Sequence, residues 1–439
     1  MNIFRQIFFI LGLIPLFLHA EEEFPQVWTY DDCIKWAKTH NINLKRLALQ
    51  LEQSQQDTKS STDKWLPSFE FSTTQAYSNY PNPSATQKPN AYNSTYGINA
   101  SWTVWDGNIR KYEIESNRII EQERQLAIQS AIDEIETTIF EAYLKILFYN
   151  EAIQIARETL KISVAQEKTA SKLLQEGKIS EIEHTQIETQ RVEDVYSVVS
   201  AESDYTAAKN ELKKILELKI NDHIEIQKHT FDESIIYTPL PDIVNVYDFA
   251  CAWNPLIKSN KLNEKVLENN IKIANAGYLP KIDISAGIGT GYTTIDTQNW
   301  GTQISHAVNE NIGLTLSIPI FDGNQTKRNI SKAKLAYLDY EISDEELRNQ
   351  LSQTIEQLYI DFRNAQVKYI SGIKHVEVAE LNVELIDEQF AQGLVKPIEM
   401  LDAHEDLLDA KLELLSNKFT AILCIKLINY YATRTITIP

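Results

Sequence analysis

Two aspartates stand in the same short frame. Thr103–Asn108 reads TVWDGN, and Ser317–Asn324 reads SIPIFDGN about 216 residues later. In each, an alternating apolar run meets an aromatic, then Asp-Gly-Asn, then a long polar segment without proline. A carboxylate ahead of a helix can accept the unpaired backbone N–H groups of the first turn. Asp106 and Asp322 are therefore read as N-caps of the helices that follow. Gly107 and Gly323 would let the chain bend sharply between strand and helix. An active-site role for the two acids is the competing reading, and their recurrence at a strand-to-helix joint favours capping. A second set of acids lies in PIEMLDA. Glu399 and Asp402 are three apart and share one helix face, and Glu183 holds the matching place in the earlier half.

Nothing in the chain assembles these groups into a catalytic site. H-E-x-x-H, G-x-S-x-G and phosphate-loop spacings do not occur. The eight histidines are scattered, with His184 and His404 on helix faces. Cys33, Cys251 and Cys424 lack metal-ligand spacing and read as isolated buried thiols. An enzyme needs polar groups that converge in a pocket. No enzyme activity, cofactor or metal is expected. The formal net charge of −19 argues against nucleic acid and against an anionic membrane surface as partner, and suits a cation-attracting surface.

The chain has 439 residues. Its first twenty carry one apolar run, Ile7–Leu18, after Arg5 and before Leu18-His19-Ala20, and read as a cleaved secretory signal. A short membrane anchor is the alternative, but the run is too short to span.

A duplication organises the rest. KWLP at 64–67 returns as GYLP at 277–280, each ahead of a strand-like run. The Asp-Gly-Asn sites pair next, then Gly177 with Gly393, then Ile182-Glu183 with Ile398-Glu399. The first repeat is placed at 21–216: an opening helix, a strand pair at about 66–106, a long helix at about 107–176 and a return helix at about 180–216. Residues 217–245 join the halves, with Asn221, Asp222, Pro239 and Pro241 as helix breakers. The second repeat, 246–439, has its strand pair at about 279–322, long helix at about 323–391 and return helix at about 398–434.

The strands alternate with period two. Tyr96, Ile98, Ala100, Trp102 and Val104 form one apolar face, and Ile312, Leu314, Leu316, Ile318 and Ile320 another. Either a sandwich core or lipid could receive such a face. Four strands of about ten residues, long polar connectors at about 80–93 and 293–310 and aromatics near the strand ends favour a membrane barrel. The long helices carry a 3.5-residue seam, Ile132, Ile135, Ile139, Ala142, Ile146, Tyr149 and Ile153 in the first copy. A helix of such length spans roughly 100 Å. The return helices are half as long, so the opening segments must complete their columns. Four strands cannot close a barrel, and an open edge in lipid is not tolerated, so oligomerisation is required.

At GYLPKIDISAG (277–287), SIPIFDGN (317–324) and FAQGLVKPIEMLDAHEDLLDAKLEL (390–414) the chain resembles the TolC family of outer-membrane efflux and secretion channels. The resemblance covers essentially the whole mature chain. It implies an α+β membrane protein that gives four strands per chain to a trimeric twelve-stranded outer-membrane β-barrel, which continues into a long periplasmic coiled-coil tunnel. It also implies a passive exit duct that works with a periplasmic adaptor (membrane fusion protein) and an inner-membrane transporter of the RND, ABC or MFS class. By the family's motif, Glu399, Asp402 and Glu183 would line a closed periplasmic aperture. The turns holding Gly177 and Lys178, and Gly393, Lys396 and Pro397, would dock the adaptor. Two positions depart from the prototype: its tyrosine is Phe390 here and its basic residue is Val395, so the closing network is altered. A pore-free periplasmic coiled-coil scaffold is the alternative function. It would have no use for four alternating strands.

Overall fold

The structure, a computed structural model, describes residues 25–83, 88–229 and 231–436. The proposed signal at 1–20 lies outside the described residues. The opening segment of each half is two helices broken at an asparagine. Helices α1 (Tyr30–His40) and α2 (Ile42–Asp63) meet at Asn41, whose side chain caps α2 through Leu44 N at 3.1 Å. Helices α5 (Ile243–Trp253) and α6 (Pro255–Ala276) meet at Asn254, which caps Leu256 N at 2.8 Å ahead of a proline at the first helical position.

The remaining elements are strands β1 (Ser68–Asn79) and β2 (Asn90–Trp105), helices α3 (Ile109–Gln175) and α4 (Glu181–Ile215), a short 3-10 helix (Glu233–Tyr237), strand β3 (Lys281–Thr293), helix α7 (Trp300–His306), strand β4 (Asn309–Ser317), and helices α8 (Gln325–Ala391) and α9 (Pro397–Thr433). Short α7 sits in the β3–β4 connector, where the buried Gln303 side chain bonds both backbone groups of Thr293. Among the described residues, no helix is long and apolar enough to cross a membrane.

The long helix α3 is matched by two shorter ones in series. Lys38–Glu136 and Lys64–Glu113 tie the α1–α2 segment to its first half. Lys145–Glu211, Arg157–Glu202 and Arg191–Glu167 tie α4 to its second half. Those of these ion pairs that are exposed, such as Lys145–Glu211 and Arg157–Glu202, contribute little. The seam carries the energy. Ile135, Ile139, Ala142, Ile146 and Ile153 of α3 are buried, as are Leu351, Ile355, Phe362, Ala365 and Tyr369 of α8. Each large apolar side chain so buried contributes about 1.5–3 kcal/mol. The largest core lies mid-length, where Phe140, Tyr143, Phe362, Ile422 and Ile425 converge.

The inter-repeat segment packs into that core. Trp28 and Ile226 form a parallel bridge, Tyr143 Oη donates to Gln227 O at 2.8 Å, and Tyr359 Oη donates to Pro241 O at 2.9 Å.

The four strands form one open antiparallel sheet in the order β1-β2-β3-β4. The register sets apolar residues opposite apolar ones: Phe71↔Ile98↔Ile288 and Trp102↔Ile284↔Leu314. Their face is exposed at Phe69, Phe71, Ile98, Ile312, Leu314 and Leu316. The other face carries Ser68, Ser101, Thr103, Asp283, Ser285, Asn311 and Thr315. An apolar outside and a polar inside are what a lipid-facing wall with a wet interior requires.

The strand-to-helix joints differ from the simple N-cap reading. The N-cap positions are Asn108 (φ 70°) and Asn324 (φ 64°), and neither asparagine side chain caps. Gly107 and Gly323 are left-handed as well, at φ 74° and 67°. Two successive left-handed residues curl the chain so that the aspartate two positions upstream swings over the first turn. Asp322 then accepts from Gln325 N at 3.1 Å and Thr326 N at 2.7 Å. Asp106 accepts from Arg110 N at 3.2 Å and Arg110 Nε at 2.8 Å. The capping chemistry is present, but the carboxylate acts from outside the cap position.

The two joints are unequal in burial. Arg110 is 5% exposed, lies over the Trp65 ring at 4.4 Å and donates to Lys64 O at 3.0 Å. Asp106→Ala would leave that guanidinium buried without its ion partner, at a cost of about 3 kcal/mol. Asp322→Ala removes the acceptor of two N–H groups and of the Thr326 hydroxyl but leaves no buried charge without its partner. Thermal unfolding followed by helix signal should show a clearly larger loss for Asp106→Ala. Equal losses would mean that the Arg110 pair contributes nothing beyond capping.

Candidate functional site

The far ends of the helix hairpins come together in one small assembly. Both turns have the same design. Gly177 (φ 70°) and Gly393 (φ 74°) end α3 and α8 in the left-handed conformation. Lys178 N donates to Leu173 O at 2.8 Å and Gly177 N to Leu174 O at 3.0 Å. Leu394 N donates to Gln389 O at 2.9 Å and Gly393 N to Phe390 O at 2.8 Å. This paired pattern satisfies the last carbonyls of each helix, and a glycine is the residue that adopts it without strain.

The return helices start differently. Ser180 and Glu183 form a reciprocal capping box at α4, with Ser180 N donating to Glu183 Oε2 at 2.8 Å and Ser180 Oγ to the same oxygen at 2.9 Å. At α9, Lys396 holds the cap position without a side-chain bond, and Pro397 is buried at the first helical position. The two turns touch: a Cβ on Gly393 would lie 3.9 Å from Lys178 Cδ.

A private core holds the tips. Ala170, Leu173, Ile187, Phe390 and Met400 are buried together, with Ile179, Ile386, Val395 and Leu401 packed around them. Phe390 and Val395, the two departures from the family prototype, are thus neighbours in one apolar cluster. Above it, Asp387 of α8, His404 of α9 and the buried Gln166 of α3 share a polar contact, with His404 Nε2 and Asp387 Oδ1 2.9 Å apart. The sequence places His404 on a helix face without saying what that face meets. Nothing in the spacing of 166, 387 and 404 joins three helices whose relative register is unknown.

Glu399 and Asp402 are exposed on α9, on the side away from buried Met400 and Ala403. Among the described residues, neither carboxylate has an ion-pair or side-chain hydrogen-bond partner. Glu183 is different. Its carboxylate is engaged by the cap, and its pKa is held below the ordinary glutamate value, first by Ser180 N–H, then by the Ser180 hydroxyl, with a smaller pull from Lys396. The structure therefore sets Glu399 and Asp402 apart as free acids and makes Glu183 a helix-start residue.

A depressed folded pKa stabilises the cap above the unfolded value near pH 4.3, and that contribution is lost as pH falls through the folded value. Hydrogen-exchange protection of the first turn of α4 should therefore drop on acidification below about pH 4. The Glu183→Gln variant should abolish that drop. A pH-independent turn in the native chain would show that Glu183 does not cap it.

Comparison with known proteins gives one consistent result. The family model described as outer membrane efflux protein matches residues 33–217 and 246–419, one block in each repeat. Outer membrane protein TolC of Escherichia coli (strain K12) is 24% identical over 170 residues, 37% of this chain and 34% of that protein. Alkaline protease secretion protein AprF of Pseudomonas aeruginosa is 24% identical over 187 residues, 42% of this chain and 38% of that protein. The aligned stretch thus spans just over a third of each of these curated relatives. The fold match is broader. The crystal structure of CusC superposes with a TM-score of 0.79 at 16% identity, covering 92% of this chain and 91% of that one. That of the outer membrane protein VceC from Vibrio cholerae gives 0.76 at 15% identity, covering 92% and 96%. With the family model covering most of both repeats, the chain belongs to the outer membrane efflux protein family.

Proposed function

We propose that this chain is the passive exit duct of a tripartite efflux pump or type I secretion system, assembled as a homotrimer in the outer membrane. The observation that carries the reading is the four-stranded sheet, apolar on one face and polar on the other, continuing through two like joints into helices of 67 residues. Helices of that length reach roughly 100 Å, which suits a conduit that crosses the periplasm. The description of the matched family supports efflux, and the name of the relative AprF supports protein secretion, as the class of task. The reading assigns the chain no catalytic step. A pore-free scaffold would not need an apolar outer face on its sheet.

The partners follow from the two ends. Lipid of the outer membrane covers the apolar face. A periplasmic adaptor docks at the turns Gly177–Glu181 and Gly393–Pro397, and a transporter of the RND, ABC or MFS class supplies the energy. The turns suit docking because they project from long coiled coils and carry cations at Lys178 and Lys396. Charged insertions after Gly177 and Gly393 are expected to abolish export from cells while the assembled protein and its β content persist. Export that survives both insertions would place the docking site elsewhere.

The aperture is lined chiefly by Glu399 and Asp402 of α9, with Glu183 of α4, which also caps its own helix, in the lesser part. Three copies each of Glu399 and Asp402 would crowd like charges into a narrow bore. At about 6–8 Å such charges repel by roughly 2–3 kcal/mol per pair at an effective dielectric near 20. Bound cations relieve that repulsion, so the closed channel should select cations and be blocked by multivalent ones from the periplasmic side. In planar bilayers, the Glu399→Ala, Asp402→Ala double variant should lose the trivalent block, and Asp402→Lys should reverse the ion preference. Assembly should change little, because solvated charges contribute little to folding. Unchanged block and selectivity in the double variant would move the constriction to other residues. Absence of any conductance from the native protein would overturn the duct itself.

A further inference from the structure

Helix α9 carries Glu399 and Asp402 on its exposed side, and its rotation decides where those acids point. Its other side is held at one polar contact. His404 lies two residues beyond Asp402 and five beyond Glu399, which sets its ring about 200° and about 140° around the helix from them. The His404 side chain is 11% exposed and meets two other helices. Its Nε2 is 2.9 Å from Asp387 Oδ1 of α8 and touches Gln166 Nε2 of α3. Buried Gln166 also reaches Asp387 Oδ1 at 3.3 Å. Helices α8 and α9 form the second hairpin, and α3 belongs to the first. Gln166 is therefore the polar tie between the hairpins at this level.

The three contacts cannot all be hydrogen bonds in one protonation state. An amide nitrogen only donates and a carboxylate only accepts. On a neutral ring with its hydrogen on Nδ1, Nε2 accepts from Gln166. The second N–H of the same amide serves Asp387, so α3 holds both helices of the second hairpin. On an imidazolium, Nε2 carries a hydrogen. It donates to Asp387 in a charge-assisted bond, and it now faces a second donor in Gln166. Turning the amide to offer Oε1 would set that oxygen against Asp387, so α3 loses a bond either way. Protonation thus moves cohesion from between the hairpins to within one of them. Water reaches the cluster. Gln166, Asp387 and Phe390 line a cleft of about 590 Å³ between α3 and α8.

The neighbouring charged groups are paired or exposed. Glu167 of α3 pairs with Arg191 of α4 at 2.7 Å, and Glu380 of α8 pairs with Lys411 of α9 at 2.9 Å. Glu158 and Lys161 of α3, Glu188 of α4, Glu384 and Glu388 of α8, and Glu405 and Asp406 of α9 are exposed. The other imidazole of the tips, His184 of α4, lies 3.0 Å from Ser171 Oγ.

We infer that His404 is the positioning residue of the closed end. Neutral, it fastens α9 to α3 through Gln166; protonated, it gives up that fastening for Asp387 and frees the second hairpin to part from the first. This rests on the duct proposed above and on its closure at the hairpin tips. An imidazole changes charge between about pH 5 and 8, so the closed end loosens as the periplasmic side turns acid.

Single-channel conductance of the assembled, full-length protein in planar bilayers tests this, with the periplasmic side held at about pH 5 and then at about pH 8. The native channel should conduct several-fold more at the lower pH. His404→Gln can still accept from Gln166 and cannot take up the proton, so it should stay low at both. His184→Gln should respond as the native protein does. Gln166→Leu should conduct at the higher pH about as the native channel does at the lower. Asp387→Asn removes the charge that favours the proton on His404, so the midpoint of its response should fall by about half a pH unit or more. A side chain that merely fills space would not move that midpoint, and the shift decides the matter if His404→Gln fails to assemble. A response that persists in His404→Gln belongs to the ring acids and overturns the role of His404. So does a native conductance that falls on acidification or stays constant. In each of these cases the duct stands, because current flows. A native protein that passes no current at any pH overturns both.

Discussion

A backbone group in hydrocarbon has no water to fall back on, and that constraint governs the whole chain. A helix satisfies its own N–H and C=O groups, but a strand needs neighbours on both sides. This chain contributes four strands in an open sheet. The sheet is apolar outward, so its destination is lipid, and it cannot close on itself. The duplication answers half of the problem inside one chain, because β3 of the second repeat covers β2 of the first. The other half must come from outside the chain. The helices inherit the same geometry: α6 of the second repeat lies against α3 of the first, while the equivalent face of α8 stays exposed.

Holding a flat wall above a bundle of helices requires a joint that turns the chain without breaking either element. The Asp-Gly-Asn frame does this twice. Two left-handed residues give the turn, and the upstream carboxylate restores the hydrogen bonds that the first helical turn would otherwise lack. The copies have diverged around this shared geometry. The first adds a buried guanidinium held by Asp106 and Trp65, and the second places Thr326 there instead. A buried Arg–Asp pair is costly to desolvate and severe to break. It therefore fixes the first joint more firmly than the second.

Much of this was legible in the sequence because it depends on periodicity. Alternation of period two marked the apolar strand face, and the 3.5-residue seam marked Ile135, Ile139, Ala142 and Ile146, which are buried. What escaped depends on dihedral angles or on register between distant helices. The spacing Asp-Gly-Asn does not reveal that the asparagine also becomes left-handed, so the sequence alone sets the cap position two residues early. The breaks at Asn41 and Asn254 follow from single residues in otherwise continuous helical patterns. Helix α7 is a short piece within a polar connector, held by one buried Gln303. The contact of Gln166, Asp387 and His404 needs three helices aligned to within a fraction of a turn.

The tips show why the acids of the second turn remain free. In the first turn, Glu183 is consumed by the start of α4, where it satisfies Ser180. In the second, a proline removes one orphan N–H at the start of α9, so no capping acid is required there. Glu399 and Asp402 are thereby released from a structural task. Phe390 and Val395 take over cohesion of the tips through an apolar core. Such a core is not weakened by charge screening, whereas an ionic latch is. The division of labour is then physical: apolar packing holds the hairpin ends together within a chain, and uncompensated charge on their exposed side is left to act on whatever ions or partners approach.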